Sequence, residues 1–327
     1  PKFIASATYS PRVPMMLIEP SATNLATYSE DFSNSVYVKD SGVAIGTTNH
    51  VSPSGSTNAT KIEVSDNGRL YRNFTSATYA TSIFIKSGTF AHFVVAGSQI
   101  DLNAGTATSG TIEQLNDGWY RVSNIIATSR PFQVQAYPDS NYAIHTDSGD
   151  YYIWGAQVET GSVATSYIPT SGSTVTRAAD NLVIDGSAFS DFYNATEGTV
   201  YAEAVPQDGI NEFPYYFEFS NGTTANRHHS YRSGAVSTFY TCNIGGTTLF
   251  NTGIGPATLD SLNRISYSYK PNDYLGSANG TTPVPETGAV PTGISQLLIG
   301  NSVAPTPRLM TGRIKRLIYW PTHSDSL

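Results

Sequence analysis

The sequence has few charged side chains. Only 13% of its 327 residues are Asp, Glu, Lys or Arg, which is about half the share of an average globular domain. The net charge at neutral pH is −7, and the cationic residues form no stripe or patch. A phosphate backbone would be repelled by such a chain, so the composition argues against a nucleic-acid-binding protein.

The chain also lacks disulfide partners, long apolar runs and helical periodicity. Cys242 is the single cysteine, which excludes an internal disulfide framework. No apolar run approaches the ~18 residues of a membrane helix, and the first twenty residues lack the apolar core of a secretory signal. We therefore expect synthesis in the cytosol, no membrane insertion, and stability that comes from packing alone.

The residues that are abundant predict strands and turns. Aromatics reach 12%, with 21 Tyr, and Ser, Thr, Asn and Gly fill much of the remainder, a balance typical of pleated strands joined by turns. Short strand-like segments follow one another from Ala59, with turn residues such as Asp66-Asn67-Gly68 between them. The sequence therefore predicts an all-β protein of two antiparallel β-sandwich (jelly-roll) domains with an extended N-terminal arm.

Breaks in the pattern predict the domain boundaries. Four prolines within residues 1–20 predict an arm, since proline removes a backbone donor and disfavours a central strand. "TGSVATSYIPTSGSTVTR" has little to bury and predicts a linker or a strap over a domain surface. The expected parts are an attachment arm at 1–20, a first sandwich at 21–160, the linker at 161–180, and a second sandwich at 181–327.

Alternation along individual strands predicts which side chains share a face. In "DYYIWGAQVE" it places Tyr152, Trp154, Ala156 and Val158 on one face and Tyr151, Ile153 and Gln157 on the other. Trp119, Trp154 and Trp320 are expected in the cores. Asn279-Gly280 predicts a tight turn between two strands.

Longer stretches resemble a known family. "MMLIEPSATNLATYSEDFSNSVYVK", "DGWYRVSN" and "YYIWGAQVETGSVATSYIPTSGSTVTRAADN" resemble the phage head-spike or head-fibre type domain, which is carbohydrate-binding-module-like in fold. "EGTVYAEAV", "RISYSYKPNDYLGSANG", "LLIGNS" and "GRIKRLIYWP" resemble the concanavalin A/laminin G-like jelly rolls that often follow it. Together these segments span almost the whole chain from Leu17.

The resemblance implies a bacteriophage virion surface protein, either a head fibre, spike or decoration or a tail fibre. Its implied partners are phage capsid or tail proteins and host-surface glycans, and its implied assembly is a homotrimer. If Pro1 is the natural start, the short arm attaches the protein to the virion and favours a compact spike or head fibre. The candidate attachment residues are Tyr9, Pro11, Arg12, Pro14, Met15 and Met16.

Glycan binding requires aromatic faces that stack on sugar rings and amides that hydrogen-bond to hydroxyls. The alternation predicts such a set on the outward face of the first sandwich, made up of Gln133, Gln135, Tyr137, Tyr151 and Gln157. An ordinary polar sheet face or a Tyr-rich subunit interface is the alternative explanation for the same residues.

Evidence for catalysis is sparse, and we expect no enzyme. Glu218, among the aromatics of "YYFEF", and Glu203 are the nearest candidates for the paired carboxylates of a glycosidase. Neither has a second carboxylate two or four residues away on its strand. A virion-associated polysaccharide depolymerase remains the alternative, as does a purely architectural capsid or tail protein.

Two segments could hold metal ions, although no cofactor is required. Asp139, Asp147 and Asp150 lie near strand ends and could provide oxygen ligands for a structural calcium ion, or be solvated turn residues. "NRHHSYRSG" contains His228 and His229, and adjacent strand residues point to opposite faces. These histidines therefore cannot share one metal without a bend, and we expect a surface loop there.

Overall fold

The computed structural model describes residues 15–207, 213–234, 237–304 and 308–327. Nearly all of the regular secondary structure among the described residues is antiparallel strand, which confirms the predicted all-β class. The chain forms two compact units, which we call the first unit (residues 21–178) and the second unit (residues 15–20 and 179–327). No helix among the described residues is long and apolar enough to cross a membrane.

The described part begins with a strand of the second unit, and the chain then forms the whole first unit. That strand is β1 (Met16–Ile18). The first unit contains a 3-10 turn, Asn116–Gly118, and fourteen described strands, which are β2 (Ala22–Asn24), β3 (Val38–Lys39), β4 (Val43–Ile45), β5 (Thr60–Val64), β6 (Arg69–Arg72), β7 (Ala77–Ser87), β8 (His92–Val95), β9 (Ser98–Asp101), β10 (Thr106–Ala107), β11 (Thr111–Gln114), β12 (Trp119–Thr128), β13 (Phe132–Tyr137), β14 (Gly149–Thr160) and β15 (Val175–Arg177).

Two six-stranded sheets form the first unit, in the orders β10-β9-β8-β13-β6-β3 and β11-β12-β7-β14-β5-β4, and a small sheet pairs β15 with β2. The main core includes Ile83, Phe93, Phe132 and Tyr151. A smaller cluster of Ala59, Phe84, Trp119 and Trp154 packs with Tyr167. The predicted burial of Trp119 and Trp154 is therefore confirmed, because their exposed fractions are 2% and 6%.

The second unit completes the chain. Its remaining described elements are β16 (Leu182–Asp185), α1 (Gly186–Ser190), β17 (Gly198–Pro206), β18 (Tyr215–Ser220), β19 (Arg227–Ser233), β20 (Ser237–Ile244), β21 (Thr247–Pro256), β22 (Asn263–Lys270), β23 (Asp273–Ala278), β24 (Val284–Glu286), β25 (Gln296–Ile299) and β26 (Gly312–Trp320). They form two six-stranded sheets, ordered β1-β26-β17-β22-β23-β24 and β16-β25-β18-β19-β20-β21. Aromatic residues, among them Tyr216, Phe219, Tyr240 and Tyr267, fill the core.

The predicted turn at Asn279-Gly280 is confirmed. Both residues have positive φ, 54° and 77°, and the Thr281 amide donates to the Ala278 carbonyl. The chain reverses here between β23 and β24, as a pair of left-handed residues allows.

Met16–Ile18 belongs to a sheet, so this part of the predicted arm is not free. Met16–Ile18 pairs antiparallel with β26 at the edge of its sheet, and Leu17 and Ile18 are buried. "MMLI" thus covers the second unit's own core. The other predicted attachment residues, Tyr9, Pro11, Arg12 and Pro14, lie outside the described residues.

A β-bulge in β14 reverses the predicted faces of that strand. The register with β7 shifts between Trp154 and Gln157, and Gly155 has a φ of 68°. As a result, Tyr151 and Ile153 before the bulge lie in the same core as Ala156 and Val158 after it. The predicted common face of Tyr152, Trp154, Ala156 and Val158 is wrong, because simple alternation assumes an unbroken ladder.

The segment after β14 lies over the first unit as a strap, defined here as residues 165–170. The buried Asn24 amide donates to the carbonyls of Ala156 and Ile168 at 3.0 and 2.8 Å. Its carbonyl oxygen accepts from the Val158 amide at 3.1 Å. Thr165, Ile168 and Thr170 are buried. Hydrogen bonds from a single side chain therefore join a strand, the bulge and the strap, and give this apolar-poor segment a fixed path.

Candidate functional site in the second unit

A concave site lies on the outer face of the sheet that contains β17, β22 and β26. We call it the Trp320 cleft; it has a volume of about 390 Å³, near the lower end of the range for small-ligand pockets. It is lined by Thr199, Val200, Tyr201, Ser266, Trp320, Thr322, His323, Ser324, Ser326 and Leu327.

Strand pairing positions the floor of the cleft. Thr199 on β17 lies opposite Trp320 on β26, and Tyr201 lies opposite Ser266 on β22. Side chains at paired positions share a sheet face, so an indole, a phenol and two hydroxyls open on the same side. The Trp320 side chain is 44% exposed, which corrects the expectation that it is a core residue.

The segment after β26 forms one wall of the cleft. Thr199 Oγ1 donates to the Thr322 carbonyl at 2.8 Å, and the Ser324 amide donates to Ser268 Oγ at 2.9 Å. These bonds hold the segment 321–325, which we call the tail, against the outer sheet face. The cleft is therefore built from strands and a tethered segment within one unit.

Charged groups flank one end of the cleft. Tyr201 donates a hydrogen bond of 2.9 Å to Glu203 Oε1, and Glu203 Oε2 lies 3.1 Å from Lys315 Nζ. Burial raises the pKa of Glu203, but hydrogen bonds from Lys315 and Tyr201 outweigh burial and lower that pKa overall. The carboxylate is thus ionised at neutral pH and fixes the phenol of Tyr201 beside the cleft.

The glycan-binding residues predicted in the first unit do not form one surface. Gln133, Gln135 and Tyr137 lie on β13, whereas Tyr151 and Gln157 lie on β14 in the other sheet. Tyr151 is 1% exposed in the core and Gln157 is fully buried. The prediction of an outward, solvent-exposed face fails because Tyr151 lies in the core and the strap covers Gln157.

Each buried member of that predicted set has a structural partner. Gln157 Oε1 accepts from the Ile168 amide at 2.7 Å, and Gln135 Nε2 donates to the Asn67 carbonyl at 2.8 Å. Tyr137 is 8% exposed and packs against Tyr142 with ring centroids 5.4 Å apart. Gln133 is half-buried, so β13 offers solvent little of the predicted set.

The three aspartates predicted to hold calcium are used separately. Asp150 forms an ion pair of 2.9 Å with Lys61 and accepts from the Thr89 amide at 2.9 Å. Asp139 accepts from the Asn141 amide, and Asp147 lies 3.9 Å from His145 Nδ1. Among the described residues the structure does not group these three carboxylates, and calcium binding there stays a prediction.

Glu218 and Glu203, the carboxylates considered for catalysis, lie on different sheets, on β18 and β17. Glu218 is fully buried, with its oxygens 2.9 Å from Arg227 Nη1 and 3.0 Å from the Val303 amide. Burial raises the pKa of Glu218, against the opposing effects of Val303 and Arg227. The two carboxylates therefore do not face each other across a common cleft.

The adjacent histidines are buried strand residues and do not lie in a surface loop as expected. His228 stacks on Phe219 at 4.9 Å, and His229 stacks on Tyr215 at 4.6 Å. Burial lowers the pKa of His228 to about 3 and the pKa of His229 well below its usual value. They point to opposite faces of β19, as strand geometry requires.

The sequence contained a signal for the Trp320 cleft that the prediction missed. Alternation placed Arg316 and Trp320 on the same face of β26, and Arg316 is exposed. A charged residue on that face indicates solvent, so the indole further along the same face also meets solvent.

Comparison with known proteins gives similarity of architecture. No family model and no curated protein matches the chain. It is similar to a CBM40 of the Ruminococcus gnavus IT-sialidase bound to alpha2,3 sialyllactose, with 15% identity over 44% of this chain and 88% of that one, and a TM-score of 0.38. It is also similar to mouse laminin alpha1 domains LG4-5, with 9% identity, coverage of 78% and 86%, and a TM-score of 0.32. Sheep galectin-11 matches at 9% identity over 44% of this chain and 99% of that one, with a TM-score of 0.30.

Proposed function

We propose that this chain is a non-catalytic glycan-binding protein of a bacteriophage virion surface, and that the Trp320 cleft holds the sugar. One observation carries the proposal: a large indole is 44% exposed inside a cleft that is otherwise lined mainly by hydroxyl-bearing side chains. An exposed indole in a concave polar site supplies an apolar face and a donor at the same place.

The chemistry of the cleft matches that of a sugar ring. The indole of Trp320 offers a flat face for the apolar side of the ring. Ser266 offers a hydroxyl that can donate or accept a hydrogen bond. The hydroxyls of Tyr201 and Ser324 donate to Glu203 and to the Ser326 carbonyl, so their oxygens can accept from sugar hydroxyls. Such contacts are wet and individually weak, so we expect modest affinity at each site.

The virion role rests on the sequence resemblance to phage head-spike domains and jelly rolls. On a virion, many copies of a weak site act together, because binding at one site raises the effective concentration at the next. We propose a homotrimer on the particle surface, attached to capsid or tail proteins by residues 1–14 and facing host glycans. Met16 is excluded from this attachment role because it serves the second unit's sheet.

The cleft is tested by the substitution Trp320→Ala in the full chain. Purified bacterial capsular and O-antigen polysaccharides serve as probes, and affinity is measured by microarray and calorimetry. We expect at least a tenfold loss of affinity, the order found for a central aromatic anchor. The matched control is Leu249→Ala, since Leu249 is also exposed, at 42%, on β21 of the other sheet. Equal affinities of the two variants for the polysaccharide would refute the proposal that the Trp320 cleft binds the sugar.

Quenching of tryptophan fluorescence gives a second readout. Trp119 and Trp154 are buried, so iodide in solution reaches Trp320 preferentially. A polysaccharide that enters the cleft should shield this quenchable fraction. Binding without such shielding would place the glycan elsewhere on the chain.

Two further measurements test the proposed absence of catalysis and the proposed attachment to the virion. We expect no release of reducing ends from any bound polysaccharide; release that Glu218→Gln abolishes would establish the depolymerase alternative. Mass spectrometry of purified particles should find the chain at stoichiometric copy number, and removal of residues 1–14 should abolish its attachment. A chain that attaches to the particle but binds no glycan would support the alternative of a purely architectural capsid or tail protein.

A further inference from the structure

A histidine with a buried side chain and two carboxylates converge next to the Trp320 cleft. His323 lies in the tail, Asp273 begins β23, and Asp325 follows in the tail. One ligand atom from each of the three lies within 4.8 Å of the other two. His323 Nε2 is 3.7 Å from Asp273 Oδ1, and His323 Nδ1 is 3.2 Å from Asp325 Oδ1.

The imidazole has an unused buried nitrogen. The side chain of His323 is 3% exposed, and its Nε2 is buried with no hydrogen-bond partner among the described residues. A buried polar atom without a partner carries a free-energy cost. The nitrogen faces the carboxylate of Asp273, so a cation between them would satisfy both.

The environment of His323 is that of a metal-binding imidazole. A histidine that binds a metal through one nitrogen usually donates the other N–H to a carboxylate, which fixes its tautomer and orientation. A hydrogen bond from Nδ1 to Asp325 would place the ring proton on Nδ1 and leave a lone pair on Nε2. The separation of 3.7 Å is close to the roughly 3.4 Å between two ligands of a tetrahedral zinc ion.

We propose that Asp273, His323 and Asp325 form a binding site for a divalent transition-metal ion such as Zn²⁺. His323 Nε2 and Asp273 Oδ1 are the protein ligands, and Asp325, which lies beside Nδ1, orients the imidazole. Mixed imidazole and carboxylate ligands suit zinc and its neighbours better than calcium. The site is distinct from the aspartates of the first unit.

Lys270 competes with the metal. Its ammonium lies 3.0 Å from Asp273 Oδ2 and 3.3 Å from Asp325 Oδ1. Asp273 Oδ1, which faces His323, is not the oxygen paired with Lys270. The ammonium therefore leaves the proposed position open but repels a second cation, and the metal binds more weakly than it would without Lys270.

Metal binding would fix a wall of the Trp320 cleft. His323 lines the cleft, as do Thr322 and Ser324 on either side of it, and Asp273 lies on a strand of the sheet beneath. An ion bound between them would tie the tail to β23. The metal site can be tested without any glycan, so its failure and that of the glycan proposal are separable.

The test is a Zn²⁺ titration of the chelator-treated full chain by calorimetry. We expect one ion per chain, with at least a tenfold weaker affinity in His323→Gln and in Asp273→Asn. Lys270→Gln should tighten binding by about tenfold, the order for removing a unit charge about 4 Å from a divalent ion. The matched control is His50→Gln, which removes a histidine of the first unit that binds Thr47.

Hydrogen exchange supplies an independent readout. Zn²⁺ should slow amide exchange in residues 322–326 of the parent chain and leave exchange in His323→Gln unchanged. Unfolding temperatures in chelator identify any variant that fails to fold, in which case Lys270→Gln decides the question. No binding at millimolar Zn²⁺, or equal affinity in the parent, His323→Gln and Lys270→Gln, would overturn the proposal.

Discussion

Gly155 shows how one residue sets the faces of a strand. Its φ is 68°, and a Cβ at this position would lie 2.9 Å from Phe84 Cδ2 and 3.2 Å from Tyr167 Cε2. We expect Gly155→Ala to lower the free energy of unfolding by about 2–4 kcal/mol, because left-handed strain adds to overpacking against the buried ring of Phe84 and the partly buried ring of Tyr167. Urea denaturation measures the change.

Gly105→Ala is the matched control at this scale. Gly105 has nearly the same φ, 66°, but a Cβ at this position would have no atom within 4 Å. It should lose only about 1–2 kcal/mol, the cost of left-handed strain alone. Equal losses in the two variants would show that packing at the bulge contributes nothing.

The three tryptophans show how far the burial of a single residue could be predicted from the sequence. Trp119 and Trp154 are buried as expected, whereas Trp320 is exposed, and all three stand in strands that also contain aliphatic residues. Hydrophobicity does not separate them, because apolar residues cover much of any protein surface. The charge of Arg316 on the same face was the only local indicator.

At the scale of elements, Asn24 is the residue that connects strand, bulge and strap. It makes four buried hydrogen bonds, to Ala156, Ile168, Ala26 and Val158. We expect Asn24→Ala to cost about 3–5 kcal/mol, because several buried backbone groups lose their partners together. Amide exchange in residues 165–170 should accelerate along with the loss in urea denaturation.

Thr23→Ala provides the comparison from the neighbouring position. Its hydroxyl bonds to Thr176 at 2.7 Å in an exposed pair, where water can replace the lost partner. The change should stay within about 0.5–1 kcal/mol and leave exchange in the strap as it is. A similar acceleration in both variants would mean that Asn24 does not hold the strap.

The strands themselves were predictable, but their irregularities were not. Alternation and turn residues indicated the all-β class and the turn at Asn279-Gly280. The bulge at Gly155 was invisible because one inserted residue shifts every later side chain to the other face. The strap path depends on Asn24, which lies over a hundred residues away, and local patterns contain no such contacts.

At the scale of the whole molecule, buried carboxyl groups and buried imidazoles change the stability in opposite directions as the pH falls. Burial raises the pKa of Glu159 and of Glu218. Their contribution to stability is therefore full below the pKa that each group has in the unfolded chain, and it is lost as the pH rises through the pKa in the folded chain. Burial lowers the pKa of His228 and of His229. The unfolded chain therefore binds protons that the folded chain cannot, and these contributions to stability are lost as the pH falls below 6.5.

The histidine contribution can be isolated with His228→Phe. The pKa of His228 falls from 6.5 to about 3 on folding, so the parent should lose about 2–3 kcal/mol through this residue between pH 6.5 and about 4.5. Phe retains the stacking on Phe219 and cannot be protonated, so the variant should lose less stability over the same interval. Amide exchange in residues 215–244, measured at both pH values, follows the second unit alone.

Cys242→Ala is the control, because Cys242 lies opposite His228 on β20 and burial raises its pKa to about 12. It should lower stability equally at both pH values. A parent and a His228→Phe variant with the same pH dependence would show that the imidazole is protonated in the folded chain or reached by water.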